Sequence, residues 1–550
     1  MKKIDKIINS KVFWTIFFIL MLLKYGYYRF RYYPVIDDWI QYGVYPLYDN
    51  IFKDVILRIP TYTTRPLASL SDPYIWGRFW GNMGISFFVI TVLHFMSGYL
   101  LYKVFNRSGL SVGTTFLVIF LLLPLGSEAT YWISASSRLV VGTFFMTLAL
   151  YFLSLYLHGA FTSGSEFRNL NIFNKNKTYL LAFAIAHLIS FGYYEQVIVL
   201  SFISALLMIA AYWPTLKKKW IISIPLINFL IIGAYYKFFG NTGNFAARGQ
   251  FVKKDYMEHF DLVSDKITDV WGRAHLPLYS NGLKRGLELL INHHSYIYII
   301  LILLFSILIG LLTYIHKPNH GVKLNCIQIA LGFIVFWAPF GPNFLLENVW
   351  ISNRNAFTSF IGLGLMAEGM INIVFRGRFL TYLKSFCVFA ATFIFLIVNV
   401  SEITDYKNVS ITDRKIVTNV LAAVENTDFL EGRKKAIVFN TRPVYVEQNM
   451  YFHEHIHNVT ESDWAFTGAA RAIAQNPKID YIKPVQQWHP TTIEDDVWSK
   501  YMILGIDDNM EVFPLKAVKK GNGDIKLTTL FGEYFGIVEQ KNEGLYMFTK

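Results

Sequence analysis

Along the chain, apolar stretches long enough to cross a bilayer alternate with short polar segments rich in Lys and Arg. Such runs occur at 12–30, 83–104, 111–126, 138–158, 178–192, 195–213, 220–238, 291–314, 325–340, 355–374 and 382–400. They predict about eleven transmembrane helices. The stretch 178–213 is too long for one span and divides at Phe191-Gly192-Tyr193-Tyr194-Glu195-Gln196, where a glycine and a charge interrupt it. After about residue 400 the pattern changes. Ala436-Ile437-Val438-Phe439 and Lys526-Leu527-Thr528-Thr529-Leu530-Phe531 read as strands, and 463–475 reads as a helix. This tail of about 150 residues is long enough for a core of its own. The expectation is a polytopic α-helical membrane domain over 1–400, with long loops at 31–82 and 239–293, followed by an α/β or α+β domain over 401–550.

The charge pattern orients the spans. With the N-terminus in the cytoplasm, the cytoplasmic segments are 1–11, 103–107, 168–177, 217–219, 316–323 and 376–384. Each carries Lys or Arg and almost no acid, the positive-inside bias. Fusing 178–213 into one helix would move Lys217-Lys218-Lys219 outside, so the bias supports the division. The other face then receives both long loops and the tail. No small-residue cleavage site follows the basic N-terminus, so the first apolar run reads as an uncleaved span. Composition agrees, at 54% hydrophobic and only 16% charged residues. The net charge of +13 falls mostly in inter-helix segments, where it sets topology and meets anionic membrane lipids; it gives no sign of nucleic acid. Two cysteines, Cys326 and Cys387, lie in or beside apolar runs and make no disulfide framework.

Candidate chemistry concentrates on the non-cytoplasmic side. Directly after the first run comes Tyr33-Pro34-Val35-Ile36-Asp37-Asp38-Trp39. Two carboxylates there belong at a membrane surface, because hydrocarbon would cost them several kcal/mol. One can act as general base on a hydroxyl while its neighbour orients the acceptor or holds a divalent cation such as Mg2+ or Mn2+. The plainer reading is a solvated helix end, where Asn substitution changes stability little. Glu128, beside Tyr131 and Trp132, suits sugar recognition, carboxylate to hydroxyl and ring to sugar face, or else an interfacial cap before Arg138. Glu195 interrupts two apolar segments and needs a cationic partner, Arg138 or Lys237. Arg354, Arg248, Arg138 and Arg78 are outer-face cations suited to a phosphate, unless ion pairs with Asp72 or Glu347 account for them. His453-Glu454-His455-Ile456-His457 places three histidines on one side of a strand, which reads as a metal site or as an exposed polar strand.

A basic N-terminus, one span and a two-acid motif opening a long outer loop resemble the GT-C superfamily of membrane glycosyltransferases. Arg65-Pro66-Leu67 followed by Gly77-Arg78, and more loosely Ser190-Phe191-Gly192-Tyr193-Tyr194-Glu195-Gln196, resemble segments of the bacterial GtrII-like O-antigen glucosyltransferases. The resemblance covers about residues 1–400 and not the tail. It implies a polyprenyl-phosphate sugar donor and a cell-surface glycan, polymer or lipid acceptor at the outer face of a bacterial plasma membrane. It also implies that Asp37, more than Asp38, is the catalytic base. Two rival expectations remain. A lipid-linked glycan polymerase or ligase would rely on outer-loop Arg and His without an acid pair. A transporter or flippase would carry ionisable residues within spans and an internal repeat.

Overall fold

The computed structural model describes residues 11–43, 50–53, 65–162, 170–216, 218–239, 250–253, 255–315, 321–347, 349, 351–425, 427–429, 432, 434–440, 458–494, 496–521, 523–542 and 544–549. Arg248 and the histidines 453, 455 and 457 lie outside the described residues.

Each apolar run of the sequence forms a helix. In chain order they are α1 Lys11–Tyr25, α2 Asp38–Gly43, α3 Pro66–Ser71, α4 Met83–Arg107, α5 Thr114–Leu122, α6 Ile133–Thr162, α7 Leu170–Phe191 and α8 Glu195–Tyr212. There follow α9 Ser223–Phe239, α10 Tyr256–Thr268, α11 His275–Asn292, α12 Tyr296–Ile315, α13 Val322–Trp337, α14 Asn353–Val374 and α15 Arg378–Ala423. Among the described residues, eight helices are long and apolar enough to cross a membrane: α4, α6, α8, α9, α12, α13, α14 and α15. Helices α5 and α7 are apolar but shorter, and α1 has 15 residues. Length and composition thus support eight spans directly, against the eleven or so expected.

Local chemistry explains where these helices stop. Helix α4 ends at Gly109, whose φ of +83° is costly for other residues. The Gly109 and Leu110 N–H groups return to the carbonyls of Asn106 and Phe105 and satisfy them, a Schellman closure. Short α5 is held electrostatically at both ends. The Glu368 carboxylate accepts from the Gly113 and Phe116 N–H groups at its N-terminus, and Lys24 Nζ donates to the Leu121 carbonyl at its C-terminus. Helices α13 and α14 meet backbone to backbone: a Cβ on Gly362 would sit 2.2 Å from the Phe336 nitrogen. The division of 178–213 is real, with α7 ending at Phe191 and α8 starting at Glu195.

The change of composition near residue 400 is not a break in the fold. Helix α15 continues through it for 46 residues, roughly 70 Å, more than twice a bilayer's hydrocarbon thickness. Its C-terminal half has an amphipathic stripe. Val409, Asp413, Val417, Val420 and Val424 are buried while Asn408, Ile411, Arg414, Lys415 and Thr418 are exposed.

That stripe receives the C-terminal sheet. Strands β1 Lys435–Asn440, β2 Ile482–Gln486, β3 Pro490–Thr492, β4 Tyr501–Ile506, β5 Val512–Lys519, β6 Ile525–Thr529, β7 Tyr534–Asn542 and β8 Leu545–Thr549 form one sheet in the order β2-β1-β4-β5-β6-β7-β8-β3. β1 pairs parallel with β2 and β4, and helix α16 (Asp463–Ala474) crosses between β1 and β2. From β4 onward the neighbours are antiparallel. The domain therefore combines an α/β half with an antiparallel half. The expected strands at 436–439 and 526–531 and the helix near 463–475 correspond to β1, β6 and α16.

Candidate functional site

The acid pair sits at a three-way junction of first loop, helix bundle and sheet domain, and its two members have different surroundings. Asp38 opens α2 and is completely buried. Its Oδ1 accepts from Ser134 N at 2.9 Å and Ser134 Oγ at 2.8 Å; its Oδ2 accepts from Val35 N at 3.3 Å and from the Tyr32 phenol. Tyr32 in turn accepts from Ile133 N, and Tyr131 Oη accepts from Tyr33 N. Segments 32–38 and 131–134 are thus laced together, with Asp38 as the central acceptor. The plainer reading of the pair as a solvated helix end does not describe Asp38, which is interior. Burial pushes its carboxyl up from 3.8 to about 7, against the four hydrogen bonds that lower it.

Asp37 precedes the helix and is only half-buried. Its Oδ1 accepts from Trp464 Nε1 at 2.9 Å, a contact made from the first turn of α16. Two residues on, Trp39 is wholly buried in the core of the sheet domain among Ile416, Val420, Phe466 and Ala469. Its Nε1 donates to Asp413 Oδ2, and Asp413 Oδ1 caps the Val459 N–H. Helices α2 and α16 touch at glycines: a Cβ on Gly468 would lie 2.5 Å from the Trp39 carbonyl oxygen, and one on Gly43 would lie 2.1 Å from the Gly468 oxygen. Nothing larger fits without displacing backbone.

The other candidate residues distribute around this junction. Trp132 is buried, with Nε1 3.4 Å from the Val35 carbonyl, and the Arg354 guanidinium lies 5.8 Å from its ring centroid. Arg354 is therefore one indole away from the backbone of the acid motif. It is half-buried in the first turn of α14, whose N-cap Ser352 and Asn355 form a capping box. Glu128 is buried in the helical turn Ser127–Thr130. Arg78 is exposed and lies over Tyr74 at 5.4 Å.

Two ion pairs answer questions of partnership. Glu195 pairs with Arg65, whose Nε is 3.1 Å from both carboxylate oxygens and whose guanidinium stacks 3.9 Å from Tyr194. This partner, a residue of loop one, is neither Arg138 nor Lys237, the examples the sequence offered. The Gly192 carbonyl also accepts from Leu67 N and Ala68 N, the open donors of α3. A Cβ on Gly192 would strike Leu67 at 2.4 Å. The segments around Arg65 and Glu195 are thus one structural unit. Arg138 pairs with Asp72 at 2.9 and 2.6 Å, and Ser137 Oγ donates to the same carboxylate. Asp72 is 3% exposed and Arg138 24%, so each single substitution strands a partner in low dielectric. Arg138→Gln should destabilise the fold. A double-mutant cycle with Asp72→Asn, read by thermal unfolding in detergent, should give a coupling of about 1.5–3 kcal/mol. A coupling near zero would return Arg138 to the pool of ligand-binding cations.

Among the described residues, no group of three or more His, Cys, Asp or Glu side chains comes together as a metal site. Ser134, Asp413 and Trp464 are parts of the junction that the sequence did not single out, and Arg65, visible there only within Arg65-Pro66-Leu67, proves to be the ion-pair partner of Glu195.

Fold and site define a mainly helical protein with several membrane-length helices and a strand-rich C-terminal domain seated on its acid motif. No protein-family model, no curated protein and no solved structure matches the chain.

Proposed function

We propose that this protein is a polytopic membrane glycosyltransferase of the GT-C type. It moves a sugar from a polyprenyl-phosphate donor to a cell-surface glycan, polymer or lipid on the outer face of a bacterial plasma membrane. In this reading the N-terminus is cytoplasmic and the sheet domain lies outside the cytoplasm. The observation that supports it best is the division of labour within the acid pair. Asp38 is consumed by four hydrogen bonds, whereas Asp37 is half-exposed beside it on a backbone that Asp38 holds still. A rigidly carried, accessible carboxylate is what a general base needs.

In the proposed reaction Asp37 takes the proton of the acceptor hydroxyl. The hydroxyl oxygen attacks the anomeric carbon, forming the new glycosidic bond as the bond to the polyprenyl phosphate breaks. The electron pair leaves on the phosphate, and the anomeric centre inverts. Arg354, fixed against Trp132, is the cation proposed to neutralise the leaving phosphate. Arg248 keeps the same role in the proposal from sequence alone.

The test is sugar transfer by the purified protein from synthetic polyprenyl-phosphate sugars, wild type against Asp37→Asn. The Asn side chain can still accept the Trp464 N–H, so the variant should fold normally and lose transfer by at least about a hundredfold. Wild-type rates in the variant would remove Asp37 as base. Absence of transfer from every polyprenyl-phosphate sugar offered to the wild type would remove the glycosyltransferase reading itself.

A further inference from the structure

Trp464 is a large aromatic side chain left 51% exposed, yet it is not loosely placed. It occupies the first turn of α16, where Ser462 accepts from Ala465 N at 3.2 Å as N-cap and Asp463 Oδ1 accepts from Trp464 N at 2.6 Å. The helix is locked against the acid motif through the close approach of Gly468 to Trp39. The indole N–H is committed to Asp37 Oδ1. Among the described residues, Asp37 Oδ2 makes no hydrogen bond. The result is a fixed, half-open aromatic face with an unoccupied carboxylate oxygen at its edge. A pyranose presents the complementary pair, an apolar C–H face and ring-edge hydroxyls.

We infer that Trp464 and Asp37 form a carbohydrate-contact site to which the C-terminal domain contributes the stacking surface. A pyranose ring of the acceptor lies on the indole and directs a hydroxyl to Asp37 Oδ2. Calling that sugar the acceptor rests on the glycosyltransferase reading; the sugar contact itself does not. The inference narrows the acceptor from any surface polymer or lipid to one that presents a pyranose. It also gives the sheet domain a role at the reacting end of the molecule: Trp464 is a positioning residue for Asp37 and a binding residue for the sugar.

The experiment is saturation-transfer NMR on the full-length protein in detergent, with cellotetraose, chitotetraose and mannotetraose as probes. Wild type, Trp464→Ala and Trp464→Phe are compared after their thermal unfolding has been shown to coincide. The wild type should saturate ring-face protons of at least one probe. Trp464→Ala should weaken that signal roughly tenfold, while Trp464→Phe, which keeps an aromatic face, should retain most of it. No saturation of any probe by the wild type, an unchanged signal in Trp464→Ala, or an equal loss in both variants would overturn the inference. Sugar transfer assayed on the same preparations separates the two claims. Contact that depends on Trp464 without any transfer sinks the glycosyltransferase reading and leaves the site. Transfer by a Trp464→Ala variant with unchanged acceptor KM does the reverse.

Discussion

Trp39→Ala should release the C-terminal domain from the loop that carries the acid pair, at a cost of about 3–5 kcal/mol. Among the described residues of loop one, Trp39 is the side chain that enters the core of the sheet domain, and it is wholly buried there. Its removal leaves a cavity among Ile416, Val420, Phe466 and Ala469, and it strips Asp413 Oδ2 of the indole donor in a dry interior. Surrounding side chains have little freedom to collapse inward, because α2 and α16 already touch through Gly43 and Gly468. Hydrogen exchange on the full-length protein reads the effect directly. The parallel strands Lys435–Asn440 and Ile482–Gln486, and helix Asp463–Ala474, should lose protection while the apolar bundle helices keep theirs. Trp39→Phe, which keeps much of the volume but not the N–H, should cost less than half as much. Unchanged exchange in the alanine variant would mean that the domain is held by α15 alone.

That dependence explains why the domain boundary was hard to read. The apolar runs showed the helices at once, because membrane-length hydrophobicity dominates any single residue's preference. Composition, by contrast, changes at residue 400 while the helix does not end until Ala423. A helix that buries one face needs only an apolar residue every third or fourth position, as at Val417, Val420 and Val424. Averaged over a window, that stripe reads as polar. The strands β1 and β6 and the helix α16 were legible from local pattern. The parallel pairing of β1 with β4 joins residues more than sixty apart and leaves no mark on either strand.

The site was legible to the same extent. Position along the chain singled out Asp37 and Asp38, and the glycine and charge at 192–195 marked a real helix break. What decides their roles is contact at long sequence separation: Ser134 on Asp38, Trp464 on Asp37, Arg65 on Glu195. Each partner is an ordinary residue in its own stretch. Two adjacent aspartates look equivalent on the page, yet one is interior and the other half-open, because Asp38 begins α2 on its bundle-facing side.

Asp38→Asn therefore should not behave like Asp37→Asn. At Asp37 the amide oxygen replaces a carboxylate oxygen opposite the Trp464 N–H, and stability should move by less than about 0.5 kcal/mol. At Asp38 both oxygens are acceptors for backbone N–H groups that cannot turn away, Ser134 N on Oδ1 and Val35 N on Oδ2. Either orientation of an asparagine points its NH2 at a donor, at an expected cost of about 2–4 kcal/mol. The protonated acid avoids this conflict, since its hydroxyl oxygen can still accept. That difference gives the pH dependence its sign. Burial raises the folded carboxyl from 3.8 to about 7, so between those values the folded chain keeps a proton that the unfolded chain has released. The stability this group contributes is full below about pH 4, falls as pH rises, and is lost above about pH 7. Asparagine has no such proton. The melting gap between wild type and Asp38→Asn should then be widest near pH 4–5 and narrow toward pH 8. A gap that widens with rising pH would show the opposite shift, a carboxylate kept ionised by its four donors. In either case Asp38 acts on the backbone it holds, and Asp37 is the half-buried member of the pair.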